Sequence, residues 1–492
     1  MVVRPSLTTR FYCQLTAFFT SPGLYKPRKR ILQGALLLFC LLAWIAGCRQ
    51  NNSPQTPVAQ APLQVTVLVP VEVTRVATPT PLPINCSRGD LGNVKEIAIG
   101  AILPLSKPGA MLSGFGMQTA LDLAIEDVNA EGGVLGKPLR LITYDAAGIP
   151  NRGAFLAERL LRDDCASVLV GVYSSSVAMA VKKIAHQYGV PVIFAEPRAD
   201  QVTAGQEPEV FRVGPTTTML MQFPAKWLAN LGDYNRDGQK FALIVTEGNS
   251  VGLDRVAAAK QLWPTYGFTV EPVLVDLPTE DFSSVIARIV AQDMMPDAVF
   301  LYLSSDAGFK LQNQMLAAGI GPEKNTLIVN NSNALDDQLF WQNVPNGIYT
   351  IMGRNGPWSS TVPAMGLQFA QAYSQYFNRW PESYAFESYD AVRLAADAIT
   401  RADTLDPAKI IAALETTDIE LASGHYTFPY GSKNPPDGER VPAYMWHQWP
   451  DSQILYLQYS EVGEKSADAA VIWPPLYRTI TTTLVPGLIE EP

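Results

Sequence analysis

The chain has 492 residues, more than the ~250–300 at which a single hydrophobic core stops growing, so at least two domains are expected. Hydrophobic residues make up 47% and charged residues 17%, with 37 basic against 46 acidic side chains and a net charge of −9. That balance argues against a general nucleic-acid binder, and three histidines and five cysteines without CxxC or HExxH argue against a zinc enzyme.

Residues 1–47 read as a signal peptide. Arg4, Arg10, Lys26, Arg28, Lys29 and Arg30 precede an apolar run from Ile31 to Ala46, short for a membrane span but suited to a signal h-region. The run ends in Ile45-Ala46-Gly47-Cys48, which resembles the bacterial lipobox. Small residues there admit the peptidase, and the Cys48 sulfur takes the lipid. The competing reading is an uncleaved membrane anchor. Lipidated Cys48 would fix the mature chain to the outer face of the cell membrane. Residues 48–93 then form a tether, with seven prolines and only Arg49, Glu72 and Arg75 charged between Arg49 and Asn85. Val65–Val76 alternates enough to form a strand.

From Val94 strands alternate with helices. Strands are expected at Glu96–Leu103, Pro138–Tyr144, Ser167–Val172 and Val190–Phe194, with helices at Phe115–Ala130, Arg152–Arg162 and Val177–Tyr188. After Gly214-Pro215 the rhythm restarts, with strands at Phe241–Thr246, Thr269–Val275, Ala298–Leu303 and Thr326–Val329. Helices are expected between them at Leu253–Tyr266, Phe282–Gln292 and Ala307–Ala318. A strand at Gly347–Met352, helices at Ala364–Arg379 and Tyr384–Ala402, and an aromatic strand-like region at His425–Tyr459 follow. The pattern is α/β, with two doubly wound parallel-sheet domains.

Ile97–Ser106 (IAIGAILPLS) resembles the opening strand and loop of type I periplasmic binding proteins. The block Ala120–Asp145, above all Ala124–Val134 (AIEDVNAEGGV) with Gly136-Lys137-Pro138-Leu139, is similar to the leucine/isoleucine/valine-binding branch, whose members feed ABC importers. The resemblance implies a three-crossover hinge, with one domain at 94–214 plus 353–425 and the other at 215–352 plus 426–460. Residues 461–492 are left as a C-terminal tail. It further implies a monomer that binds a small polar solute, partners ABC permease subunits, and uses neither cofactor nor metal.

Candidate ligand residues follow strand ends. Ser174, Ser175 and Ser176 open a helix whose free N–H groups suit an anion, which the resemblance matches to a ligand carboxylate; an ordinary N-cap is the plainer reading. Glu196 and Arg198 stand where relatives carry small hydroxyl residues. Val251 stands where relatives place an aromatic contact, beside Ser250, and Ser304, Ser305 and Asp306 end a later strand. Relatives that bind amino acids carry an acid after the fourth strand of the second domain. Here the turn reads Asn330-Asn331-Ser332-Asn333, so Asn331 faces a solute that need not be a branched-chain amino acid.

Two other functions are weighed. Gly248–Gly252 matches GxSxG, so a serine hydrolase using Ser250 with His425 or His447 is a rival reading, as is an extracellular ligand-sensing domain. His447 is expected on the surface or half-buried in a strand. Asp233–Gly238 imitates a calcium loop, but Ile244 stands where a bidentate acid is required, so a tight surface turn is expected. Cys86 and Cys165, the cysteines left after processing besides Cys48, precede neighbouring strands in a 2-1-3 order; a disulfide is expected, with two free thiols as the alternative.

Overall fold

The computed structural model describes Cys86 and residues 91–291, 295–304, 306–324, 326–331 and 337–480. The leader, Cys48 and nearly all of the tether fall outside the described residues. Among the described residues no helix is long and apolar enough to cross a membrane.

Ile97–Leu103 (β1) is seven buried residues in a row, as a strand covered on both faces must be. Then follow Met111–Ala130 (α1), Leu139–Asp145 (β2), Pro150–Arg162 (α2), Val168–Gly171 (β3), Ser175–Tyr188 (α3), Val192–Phe194 (β4), Gln201–Ala204 (α4) and Val210–Arg212 (β5). The sheet order is β2-β1-β3-β4-β5, parallel throughout. The strand order reverses at β1, which opens a crevice beyond the carboxyl ends of β1 and β3.

The second lobe repeats the plan. Thr217–Leu231 (α5) leads to Phe241–Glu247 (β6), Ser250–Leu262 (α6), Thr269–Val275 (β7), Ser283–Val290 (α7), Ala298–Tyr302 (β8), Ala307–Ala317 (α8), Leu327–Asn330 (β9), Asp337–Asn343 (α9) and Ile351–Asn355 (β10). Its parallel part runs β7-β6-β8-β9-β10, so β6 holds the place that β1 holds in the first lobe.

The chain then returns to the first lobe through Ala364–Phe377 (α10), Ser383–Ala402 (α11), Pro407–Leu414 (α12), Asp418–Glu420 (β11) and His425–Thr427 (β12). Phe369, Phe386 and Tyr389 bury against Leu121, Ala124 and Val128 of α1, closing one face of the first sheet. Phe386 is wholly buried, and cutting it to alanine would cost about 3–5 kcal/mol. Ile454–Gln458 (β13) and Ala470–Trp473 (β14) finally join the second sheet, antiparallel beyond β10.

Four expectations need correction. The third crossing lies at 450–453, not at Tyr426–Tyr430. Tyr426 is buried in the first lobe, its hydroxyl donating to Asp390 at 3.0 Å and its ring 4.1 Å from that of Trp449. Tyr426, Phe428 and Trp449, which suggested second-domain strands, instead seal the first core. His447 is neither on the surface nor in a strand: it is fully buried at φ 44°, stacked 4.0 Å from Phe211 and bonded to Glu415 at 2.8 Å. Residues 461–492 are not wholly a tail, because β14 extends the second sheet. Finally α5 was not foreseen, since Pro224 interrupts its pattern; Thr216 caps it, accepting from the Met219 N–H at 3.0 Å.

Cys86 is bonded to Cys165, with Cα atoms 5.6 Å apart, at the amino end of β3. The Asp233–Gly238 turn spends its side chains on its own backbone. Asp233 accepts from the Gly238 N–H at 2.9 Å, and Asn235 from the Asp237 N–H at 3.0 Å. Among the described residues no group of acids, histidines or cysteines is arranged to hold a metal ion.

Candidate functional site

Both parallel sheets point their carboxyl ends at one cleft of about 520 Å³. Ser174, Ser175, Ser176, Glu196 and Arg198 line it from the first lobe, and Val251 and Asn331 from the second. Ser250 begins α6, but its side chain and all of Ser305 lie outside the described residues. Ser304 is not among the lining residues; its N–H is taken by Glu247 at 2.7 Å. Asp306 pairs with Lys310 at 2.9 Å and also stays out of the lining.

The two lobes present their helix starts differently. At α3 the N-cap is Ser174, whose extended backbone ends β3's loop but whose side chain caps nothing. Ser174 Oγ lies 3.5 Å from Ser176 Oγ, and Ser175 Oγ accepts from the Ala199 N–H at 3.0 Å. The first-turn N–H groups of α3 are therefore open toward the cleft, at the positive end of a 14-residue helix. At α6, by contrast, Asn249 Oδ1 accepts from the Gly252 N–H at 3.0 Å and closes that end.

Beside the serines lies a partly buried ion cluster. Arg198 Nη2 donates to Glu196 at 2.5 Å, to Glu387 at 2.9 Å, and to Ser383 Oγ at 3.3 Å. Burial works against the charge on Arg198, but Glu196 and Glu387 outweigh it and hold the guanidinium above its ordinary pKa. Burial pushes Glu387 up, with Arg198 opposing it. Arg198 also shapes the first crossing, because a Cβ on Gly214 would collide with its guanidinium and with the Ala195 carbonyl.

Several lining residues were not foreseen. Tyr173 and Tyr302 end β3's loop and β8, and Tyr456 comes from β13. Arg255, on α6, stacks its guanidinium 5.0 Å over the Tyr302 ring, and burial lowers its pKa. Helical spacing held the signal: Arg255 lies four residues after Val251, on the same face. His425 is exposed beside Asp418, and His447 is sealed in the first core; neither lines the cleft with α6.

Comparison with known proteins bears on this arrangement. The family profile of the periplasmic binding proteins matches residues 96–444. The Leu/Ile/Val-binding protein homolog 7 of Brucella abortus is 26% identical over 386 residues, covering 73% of this chain and 90% of that relative. The isoleucine complex of the branched-chain amino acid transporter substrate binding protein LivJ from Streptococcus pneumoniae superposes with a TM-score of 0.57 at 21% identity, over 77% of this chain and 100% of that one. An ABC transporter solute binding protein from Rhodopseudomonas palustris, in complex with 3,4-dihydroxy benzoic acid, gives a TM-score of 0.56 at 21% identity, over 74% and 93%. Paired parallel sheets, a shared cleft and a family match over most of its length make this chain a member of the periplasmic binding proteins, similar to the Leu/Ile/Val-binding protein homologs.

Proposed function

We propose that the protein is an extracytoplasmic, lipid-anchored solute-binding protein that captures a small carboxylate-bearing solute and delivers it to an ABC importer. The open start of α3 carries the reading: fixed backbone donors meet an anion without rearrangement. The partner molecules named in the two neighbouring complexes, isoleucine and 3,4-dihydroxy benzoic acid, both carry a carboxylate. Glu196, Arg198, Val251 and Asn331 complete the binding set. Catalysis plays no part in this reading, since His425 and His447 lie away from the α6 start that a hydrolase would need. Cys48 attaches the chain to the membrane through its lipid.

A thermal-shift screen over amino acids, amides, polyamines and organic acids tests the capture step. Stabilisation by one class of acid is expected; indifference to every solute would overturn it. Cys48→Ala should yield an unlipidated precursor, and continued membrane attachment with trimming after Gly47 would contradict the anchor.

A further inference from the structure

The second wall of the cleft places donors at depth. Arg255 is half-buried, holds its guanidinium carbon 5.0 Å over the Tyr302 ring, and forms no ion pair or hydrogen bond with any described residue. Asn331, just after β9, has an Nδ2 that is shut off from solvent and has no hydrogen-bond partner among the described residues. A buried amide donor without an acceptor costs about 1–3 kcal/mol, so a group that accepts from it is strongly favoured there. The carboxylate on this wall, Asp254, is exposed at the rim, where water screens it. Across the cleft Glu196 is already taken by Arg198.

Among the described lining residues the second wall offers an ammonium group no buried carboxylate. An anion meets a planar guanidinium held by an aromatic face, beside an amide donor, which is a fork suited to a carboxylate. Resting on the solute-binding reading above, we propose that the cleft selects a dicarboxylic acid, one carboxylate on the open start of α3 and the other on Arg255 and Asn331. Arg255 is the residue that sets this specificity.

Calorimetric titration with glutarate, valerate and leucine tests it, because glutarate and valerate share five carbons and differ only in the second carboxylate. Glutarate should bind at least about tenfold more tightly than valerate, the effect of one charge-assisted contact. Arg255→Gln should erase that ratio, Arg255→Lys should keep part of it, and Asn331→Ala should weaken glutarate more than valerate. Circular dichroism of each variant checks its fold. Valerate or leucine binding as tightly as glutarate, or an unchanged ratio in Arg255→Gln, overturns the two-carboxylate assignment and leaves solute binding standing. Silence toward every solute in the wider screen overturns both.

Discussion

Arg198, on the loop after β4, and Glu387, on α11, meet as a 2.9 Å ion pair across 189 positions of sequence. Between them the chain crosses to the second lobe, builds five strands there, and returns. The pair therefore pins a loop that lines the cleft to the segment that comes back, and Gly214 leaves room for it at the first crossing.

Arg198→Met removes the shared cation and leaves buried Glu387 beside half-buried Glu196. Breaking one side of such a buried pair costs about 3–5 kcal/mol, so the urea midpoint should drop sharply. Adding Glu387→Leu should recover part of the loss, because the stranded charge goes with it. An unchanged midpoint in Arg198→Met would show that the cluster holds nothing together.

The Cys86–Cys165 bond closes a loop with a sequence separation of 79. Loop-closure entropy for that span is about 4 kcal/mol. Thiol counting on the denatured mature protein should find no reactive group, and reduction should lower the melting temperature. Two reactive thiols would remove the bond.

Asp390 gives a pH dependence of known sign. It is fully buried, accepts from the Ala422 and Ser423 N–H groups at 2.9 and 2.8 Å, and takes the Tyr426 hydroxyl at 3.0 Å. Burial still pushes its carboxyl from 3.8 up to about 6. Between about pH 4 and 6 the folded protein holds the proton that the unfolded chain has lost, so stability falls as pH rises through that window. The rise from 3.8 to about 6 corresponds to about 3 kcal/mol. The same measurement on Asp390→Asn should lack this fall; an equal slope in both proteins assigns it elsewhere.

The parts of the fold that were readable from the chain are those where local pattern and tertiary role agree. Ile97–Leu103 is apolar at every position because both sheet faces are covered, and the Gly132-Gly133 stop ends α1 as expected. The misreadings come where distant residues decide. Tyr426 and Trp449 lie in a run that reads as second-lobe strands, but Asp390 and the α11 face claim them for the first lobe. Pro224 hides a helix that Thr216 and Trp227 hold in place by capping and burial. At the site, the serines after β3 were visible because a strand end followed by hydroxyl residues is a local signal. Arg255 was not, since its meaning depends on Tyr302, which lies 47 positions away on β8.

Among the described residues the chain passes between the lobes at Gly214-Pro215, just after β10, and at 450–453, and the last two passages are bonded side by side, Gly356 N–H donating to the Gln453 carbonyl at 2.8 Å. Short neighbouring passages of this kind bend as a hinge while each sheet stays rigid. On the proposed reading, a solute held first at the open start of α3 would gain Asn331 and Arg255 as the lobes approach, and so would shift the population toward a closed form. Small-angle scattering should show a smaller radius of gyration when the stabilising acid saturates the protein. Ser174→Trp, which fills the mouth of α3, should abolish binding, while Asn331→Ala should only weaken it. An unchanged radius together with unaltered affinity in Ser174→Trp would remove both the hinge and this place for the anion.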